Sequence, residues 1–268
     1  MLKTIKSKIK NKLGYKFLEE PGKRHGFNKK KLSALKNLHE GERCFIVGNG
    51  PSLNKIDLRK LANEYTFGAN SIYYKTKEMG FYPTYFVIED THVMRDNIIE
   101  LNAYEGPKIK FFPSLYKRYV NNRDRVLFFN MNRGFYEQRS PNYHIPRFTG
   151  DIGKRIYCGQ SVTIICLQIA FYMGFKKVYL VGMDFDYKIP STFIVSGENI
   201  ESTGDDPNHF HPDYFGKGKK WHDPKLDNVL LNYRFSKLVY EANNRQIVNA
   251  TKGGKLEAFE RVDFDSLF

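Results

Sequence analysis

Several short apolar runs recur along the chain, and stretches with helical spacing lie between them. The runs with strand character are Arg43–Val47, residues 85–88, Val126–Phe129 and Lys177–Val181, with a shorter one at residues 247–248. The stretches with helical character are residues 53–62, 161–173 and 226–243. Parallel strands buried on both faces need helical crossovers, so this alternation predicts an α/β fold with a Rossmann-like, doubly wound, mostly parallel sheet.

Length and composition favour one such domain. The chain has 268 residues, of which 41% are hydrophobic, and this is enough to bury a sizeable core. Cys44, Cys158 and Cys166 form no CxxC pair, so neither a disulfide nor a zinc site is expected. No run approaches the roughly 18 apolar residues of a membrane span, and the first residues lack the apolar centre of a signal peptide. We therefore expect a cytoplasmic protein.

The positive charge is concentrated in the first 36 residues. They hold twelve Lys or Arg and two Glu, which is +10 of the formal net charge of +14. Leu2, Ile5, Ile9 and Leu13 recur at helical spacing between lysines, a pattern typical of an amphipathic helix on an anionic membrane. We expect residues 1–36 to form a basic helical arm whose residues 1–18 bind anionic lipid, with a merely solvated leader as the alternative. No nucleic-acid-binding motif is present, so no nucleic acid partner is expected.

The sequence GNGPS, residues 48–52, follows the first strand-like run. Glycines allow the backbone to turn tightly, and a turn that leads from a strand into a helix exposes amides that bind anions. In open α/β sheets, ligands bind beside the carboxyl ends of the strands. The motif is neither the GxGxxG dinucleotide fingerprint nor a GxxxxGK[ST] phosphate loop, and such turns also occur without a ligand. Spacing alone therefore predicts a nucleotide site here but does not identify it.

Four patches together resemble a known group of enzymes. They are FIVGNGPSL, FGANSIYY, GQSVTIICLQIAFYMGFKKVYLVGMDFDY and DPNHFHPDYFG, spread over residues 43–248. They resemble the bacterial CMP-sialic-acid-dependent sialyltransferases and their relatives. Those relatives include the motility-accessory flagellin glycosyltransferases and a domain named for an archaeal hydroxymethylpterin diphosphokinase. The resemblance implies a variant of the GT-A glycosyltransferase fold, in which the first turn holds the CMP of a sugar donor.

The resemblance also implies which residues contact the donor. They are Gly48, Asn49, Gly50, Pro51 and Ser52 in the first turn, Asn70, the group Gln160, Ser161 and Thr163, and Asp184. Two of them have simpler alternatives. Asn70 follows a strand, where asparagine often forms a turn, and Ser161 precedes a helix, where serine is a common N-cap.

The sequence VGMDFDY permits two interpretations. The resemblance places Asp184 against the ribose or the donor, in a reaction that requires no cofactor. Asp184 and Asp186 also form a DxD pair that would bind magnesium, as a diphosphokinase handling a triphosphate requires. For a CMP-sugar, which has one phosphate, the hydroxyl of Tyr187 is the candidate that assists the departure of CMP.

A long polar and aromatic region, about residues 188–225, is expected to form a lid-like loop over the site. Within it, His209 matches the family histidine that acts as general base. An imidazole suits this task because its unperturbed pKa of about 6.5 lies near working pH. His211 is the alternative base. A metal site on this H-x-H pair with nearby aspartates, or a purely structural role for both histidines, are further alternatives.

The function expected from these features is that of an inverting glycosyltransferase. It would move a nonulosonic (sialic-acid-like) or related acid sugar from a CMP-activated donor to a bacterial surface glycan. The basic arm suggests a lipid-linked glycan acceptor at the inner membrane face. The alternatives are a magnesium-dependent diphosphokinase acting on a pterin-like alcohol and a non-catalytic subunit that binds a nucleotide sugar.

Overall fold

A computed structural model describes residues 27–268, and their centre is a single parallel sheet. In chain order the strands are β1 Arg43–Val47, β2 Thr66–Ala69, β3 Tyr85–Val87, β4 Ile109–Pro113, β5 Val126–Phe129, β6 Met131–Asn132, β7 Ile156–Tyr157, β8 Lys177–Val181, β9 Ile194–Ser196, β10 Asn199–Glu201, β11 Lys220–His222, β12 Gln246–Asn249 and β13 Glu260–Arg261. Eight of them form the main sheet in the order β13-β12-β8-β1-β2-β3-β4-β5, and its strand pairs are parallel throughout. The predicted α/β, doubly wound architecture is confirmed.

The order of the strands locates a crevice. From β1 the chain moves outward in one direction through β2, β3, β4 and β5, then returns to place β8 and β12 on the other side of β1. Crossovers on the two sides of β1 therefore diverge, which leaves an opening beside the carboxyl ends of β1 and β8. The turn predicted to bind a nucleotide follows β1, so the topology places it at this opening.

Six α-helices accompany the strands in the described part of the chain. They are α1 Lys29–Ser33, α2 Thr76–Met79, α3 Thr91–Asp96, α4 Ile98–Ala103, α5 Val162–Tyr172 and α6 Leu226–Glu241. The helices predicted at residues 161–173 and 226–243 are confirmed as α5 and α6. Helix α5 is buried over almost its whole length because it lies between the sheet and α6. No helix within residues 27–268 is long and apolar enough to cross a membrane.

The helix predicted at residues 53–62 is wrong. Two short 3-10 helices, Pro51–Lys55 and Leu58–Leu61, occupy this stretch. Ile56 between them is extended, and the carboxylate of Asp57 accepts a hydrogen bond from the Arg59 amide at the start of the second. Asp57 caps the second 3-10 helix, so the chain cannot continue as one helix through this stretch. The spacing of the apolar residues does not reveal this interruption.

The last residues of the arm predicted for residues 1–36 belong to the folded domain. Leu32 is completely buried in the main core, and the Asn28 amide donates a hydrogen bond to the carbonyl of Phe128 in β5. Residues 27–36 therefore pack as part of the domain. The predicted amphipathic, lipid-binding segment, residues 1–18, lies outside the described residues.

The region predicted as a lid-like loop, about residues 188–225, is a folded lobe. Its strands β9, β10 and β11 form an antiparallel sheet, and Phe193, Ile200 and Trp221 form a small core beneath it. The Phe210 amide donates a hydrogen bond of 2.9 Å to the carbonyl of Asn49, which joins the lobe to the turn after β1. Apolar side chains that bury one another explain why this long segment is ordered.

Glycine is required at position 50 by close packing, which gives a test of the crevice. A Cβ atom added to Gly50 would lie 1.9 Å from Oδ2 of Asp184, whereas one added to Gly150 would meet no atom within 4 Å. We predict that Gly50→Ala lowers the free energy of unfolding by about 1–3 kcal/mol, the usual cost of overpacking. The matched change Gly150→Ala should lower it by much less, as measured by chemical denaturation. Equal losses in the two variants would contradict the packing role of Gly50.

Candidate functional site

A cavity of about 400 Å³ opens at the carboxyl edge of the main sheet. Its walls come from the turns after β1, β2, β3 and β8, from the segment between β6 and the start of α5, and from the folded lobe. Of the sequence-predicted site residues, the structure brings these into the walls: Gly48, Asn49, Gly50, Asn70, Gln160, Ser161, Thr163, Asp184, Tyr187 and His209. Pro51, Ser52 and His211 lie outside the cavity lining in the described part of the chain.

The turn after β1 does not present the row of free amides that the sequence suggested. The Gly48 amide donates to the carbonyl of Val181, and the Gly50 amide donates to the carbonyl of Gly182, at 2.7 and 2.9 Å. The Ser52 amide donates to Asp184. These bonds tie the turn to the end of β8. The glycines therefore serve the close approach of two backbone segments, and the helix that follows them is a short 3-10 helix, Pro51–Lys55.

Asp184 is fixed by Ser52. The Ser52 hydroxyl donates to Oδ2 of Asp184 at 2.6 Å, and the Ser52 amide donates to Oδ1 at 3.1 Å. Burial raises the pKa of Asp184, and the bonds from Ser52 oppose that rise. Ser52 thus acts behind the wall, by holding a carboxylate that reaches the cavity.

The two carboxylates of the DxD pair do not converge. Asp184 faces Ser52, whereas Asp186 forms an ion pair of 2.8 Å with Lys255. Within residues 27–268, no group of three or more His, Cys, Asp or Glu side chains is arranged to hold a metal ion. The arrangement of Asp184 and Asp186 thus gives the magnesium interpretation no geometric support, and magnesium dependence stays a prediction.

Two asparagines in the cavity wall have unused hydrogen-bonding capacity. The Oδ1 atoms of Asn49 and Asn70 are buried and have no hydrogen-bond partner among the described residues. A buried carbonyl oxygen without a partner is costly. The Asn70 backbone is also held in the left-handed region, at a φ of 50°, with its amide donating to the carbonyl of Val87. This pair suits a ligand that offers amino or hydroxyl hydrogens.

The start of α5 contributes the polar group that the sequence pointed to. The Thr163 amide donates to Oγ of Ser161 at 3.3 Å, so the N-cap interpretation of Ser161 is confirmed. Gln160 precedes it in the left-handed region, and Thr163 points its hydroxyl at the sulfur of Met183. Ser161 and Thr163 also lie in hydrogen-bonding range of the buried Tyr233 phenol, whose pKa is raised by burial and lowered by these two hydroxyl side chains.

His209 is held in a defined orientation. Its Nδ1 lies 2.7 Å from Oδ2 of Asp206, and the side chains are only 7% and 3% exposed. The imidazole also stacks on the ring of Tyr214, with centroids 4.0 Å apart and planes 2° from parallel. Asp206 itself accepts hydrogen bonds from the backbone amides of Asn208 and Phe215. A carboxylate at Nδ1 favours the tautomer with its proton there, leaving Nε2 as an acceptor.

The free nitrogen of His209 meets Tyr187. Its Nε2 lies 3.5 Å from the Tyr187 hydroxyl, at the long limit of a hydrogen bond. Tyr187 is 37% exposed, but desolvation of its phenol raises the pKa, so the hydroxyl stays protonated at neutral pH. The two groups can act on the same atom of a ligand.

His211 lies apart from this arrangement. Its ring stacks on Tyr74, with centroids 4.6 Å apart, and its Nδ1 accepts a hydrogen bond from the Asp213 amide. The structure therefore separates the two histidines: one lines the cavity and the other packs the lobe against the domain.

The sequence interpretation missed a polar cluster that follows β3 and also lines the cavity. Glu89 follows β3, is only 8% exposed, and accepts a hydrogen bond of 2.5 Å from the Tyr136 hydroxyl. Burial raises the pKa of Glu89 to about 7, although the bond from Tyr136 and the charge of Arg133 oppose the rise. The acidic pair after the run at residues 85–88 was the available signal, because side chains at strand ends collect at one edge of a parallel sheet.

The cavity lining carries more acidic than basic groups. Its carboxyl side chains are Glu89, Asp90, Glu137, Asp184, Asp186, Glu198 and Asp223, and its Lys and Arg side chains are Arg133 and Lys225. Lys225 forms an ion pair with Glu198 across the junction of α6 and the lobe. The chain as a whole has a net charge of +14, but the cavity lining does not share this positive charge.

Comparison with known proteins identifies one family. A family model described as 6-hydroxymethylpterin diphosphokinase MptE-like matches residues 23–190, which is more than half of the chain. The match contains the turn after β1 and the DxD segment, and it ends before Asp206 and His209. No curated protein matches the chain.

Glu89 gives the site a measurable pH signature. Its pKa is about 7 in the folded protein and 4.5 ordinarily, so the folded state retains a proton that the unfolded chain releases as pH rises. The contribution to stability is complete below about pH 4.5 and is lost as pH rises through about 7, by at most about 3 kcal/mol. We predict that Glu89→Gln, which keeps the acceptor for Tyr136, removes this decline. Unfolding curves between pH 5 and 8 measure it, and an unchanged slope in the variant would contradict it.

Proposed function

This chain belongs to the 6-hydroxymethylpterin diphosphokinase MptE-like family, and from that premise we propose that it is an inverting glycosyltransferase. The family is associated with motility-accessory-factor and sialyltransferase-like proteins. The proposed reaction moves a nonulosonic or related acid sugar from a CMP-activated donor to a hydroxyl group of a bacterial surface glycan.

The observation that carries this proposal is the pairing of Asp206 with His209. The pair is buried, anchored by backbone amides and placed in the wall of the cavity, with Nε2 of His209 available as an acceptor. This is the arrangement of a general base whose tautomer is set by a carboxylate.

The reaction then has a simple proton balance. The acceptor oxygen attacks the anomeric carbon, and its proton passes to Nε2 of His209. The new oxygen–carbon bond forms as the bond from the anomeric carbon to the phosphate oxygen breaks, which releases CMP. Asp206 stabilises the imidazolium that results, since its carboxylate lies 2.7 Å from Nδ1.

The position of Tyr187 suggests a different task from the one expected. In an inverting displacement the acceptor and the leaving group lie on opposite faces of the reacting carbon. The Tyr187 hydroxyl lies 3.5 Å from Nε2 of His209, so in this conformation it is on the side of the base. We therefore assign Tyr187 to holding the acceptor hydroxyl, and we assign hydrogen bonding to the departing phosphate to Ser161.

The alternative, phosphoryl transfer from a triphosphate, demands more positive charge. Such a reaction usually depends on magnesium held by carboxylates and on basic residues around the phosphates. Here Asp184 and Asp186 face different partners, and three amides of the turn after β1, those of Gly48, Gly50 and Ser52, bond within the protein. A donor with a single phosphate needs fewer positive groups, and it therefore fits the charges of the cavity wall better than a triphosphate does.

We further propose that the acceptor is lipid-linked and that the protein acts at the inner membrane face. The support for this placement is the sequence of residues 1–18, in which lysines alternate with an apolar stripe.

The first test of the function is ligand binding. We predict that CMP stabilises the protein in the presence of EDTA, because nucleoside amino and hydroxyl groups satisfy Asn49 and Asn70. At a hundred times its dissociation constant, CMP should add about 2.7 kcal/mol to the free energy of unfolding, which thermal-shift measurements detect. UDP, GDP and magnesium-free ATP are the control ligands. Stabilisation by ATP with magnesium and not by CMP would instead support the diphosphokinase.

The second test addresses the base. We predict that His209→Ala lowers the rate of sugar transfer at least about a hundredfold, the usual contribution of a general base, and leaves CMP binding unchanged. His211→Ala is the matched control, since His211 lies outside the cavity lining, and it should keep most of the activity. Rates with a soluble glycan acceptor and calorimetric affinities for CMP provide the two readouts. Equal loss in both variants would remove His209 from the assigned role.

A further inference from the structure

Arg133 is a cavity-lining cation that the proposed mechanism does not use. It follows β6, is partly buried, and lines the cavity. Within residues 27–268, no hydrogen bond or ion pair engages its guanidinium group. A partly buried arginine offers five donors in a fixed fork, so an unpaired one in a cavity wall is suited to an anionic group of a ligand.

The neighbours of Arg133 leave its charge available. Its charge acts on Glu89, Tyr116, Cys158 and His222, which places it between the wall after β3 and the lobe. Glu89 is the nearby carboxyl group, yet it accepts from Tyr136 and forms no ion pair with Arg133 in the described structure. Near neutral pH a substantial fraction of Glu89 is protonated, because its pKa is about 7. Within residues 27–268, no carboxylate therefore forms an ion pair with Arg133.

The position of Arg133 along the sheet edge separates it from the nucleotide end. The turn assigned to the nucleotide follows β1, whereas Glu89, the neighbour of Arg133, follows β3. Strands β1 and β3 are two places apart, and neighbouring strands lie about 4.8 Å apart, so these ends are roughly 10 Å from each other. A ligand that fills both ends has its nucleoside at one and its sugar at the other.

We propose that Arg133 is the residue that recognises the carboxylate of the transferred acid sugar, and so determines that the donor carries one. This inference rests on the proposed function and deepens it. The planar guanidinium matches the two oxygens of a carboxylate. The other Lys or Arg in the described lining, Lys225, is paired with Glu198, so the cavity offers one unpaired Lys or Arg for this purpose.

The experiment compares two cytidine ligands that differ in the sugar. Binding of CMP and of CMP-N-acetylneuraminic acid is measured by calorimetry, without acceptor, for the wild type, Arg133→Gln and Arg133→Lys. Arg133→Gln should weaken CMP-N-acetylneuraminic acid about tenfold to a hundredfold, the effect of losing a charge-assisted hydrogen-bond pair, and change CMP binding less than about threefold. Arg133→Lys, which keeps the charge without the fork, should give an intermediate loss.

Arg95→Gln is the matched control, because Arg95 is exposed, lies outside the cavity lining and undergoes the same change of charge. It should leave both affinities unchanged. Equal weakening of both ligands by Arg133→Gln would assign Arg133 to the phosphate and overturn the inference. Unchanged affinities of Arg133→Gln for both ligands would also overturn it. If the wild-type protein binds neither cytidine ligand, the proposed function itself is refuted. This outcome is distinguishable from failure of the inference, because it is seen in the wild type and not only in the variant.

Discussion

The close contact between the ends of β1 and β8 is the constraint on which the rest of the site depends. Gly48 and Gly50 donate their amides to the carbonyls of Val181 and Gly182, at a separation where a side chain at position 50 would overlap Asp184. This contact closes the floor of the crevice at the point where the strand order reverses. It also brings Ser52 within hydrogen-bonding distance of Asp184. Packing between two backbone segments therefore determines where a carboxylate faces a ligand.

The same turn connects the floor of the crevice to the segment that carries His209. The carbonyl of Asn49 accepts the amide of Phe210, which is the residue after His209, while the side-chain oxygen of Asn49 is buried without a partner. The lobe is secured further by Lys219, which donates to the carbonyls of Asp213 and Tyr214 and to the hydroxyl of Tyr74. A ligand that satisfies Asn49 would thus strengthen the segment that positions the imidazole. In the proposed mechanism, binding of the donor and alignment of His209 would therefore both depend on Asn49.

The sequence predicted what depends on local pattern and missed what depends on tertiary contacts. Strands Arg43–Val47, Val126–Phe129 and Lys177–Val181 and helices α5 and α6 were readable because their apolar residues are continuous or periodic. Strands β2 and β4 were missed, since Gly68 and Lys110 interrupt their apolar runs and are buried only through neighbouring strands. The folded lobe looked like a loop because its core forms from side chains distant in sequence.

In the candidate site too, local motifs were predictable from the sequence, whereas tertiary contacts were not. Residues within motifs, such as Asn70 and His209, reach the cavity as expected, whereas the roles of single atoms did not follow from the motifs. The pairing of Asp206 with His209 depends on the fold of the lobe, and the isolation of His211 depends on Tyr74, which is 137 positions away in the chain. Glu89 and Arg133 belong to no motif, and only the fold, which brings the segments after β3 and β6 to one cavity, reveals them.

The charges on the cavity lining restrict the class of ligand more than the shape of the cavity does. Most of the charge on the lining is already compensated: Asp186 by Lys255, Glu198 by Lys225, Asp90 by the amides at the start of α3, and Glu89 in part by a proton. On the described lining, what remains for a ligand is the unpaired guanidinium of Arg133 and Nε2 of His209, alongside amide and hydroxyl groups. A ligand with several phosphates would face uncompensated repulsion from Glu137 and Asp223 unless it brought its own cation. A donor with one phosphate and one carboxylate needs fewer positive partners, and it agrees with a basic protein whose cavity is not basic.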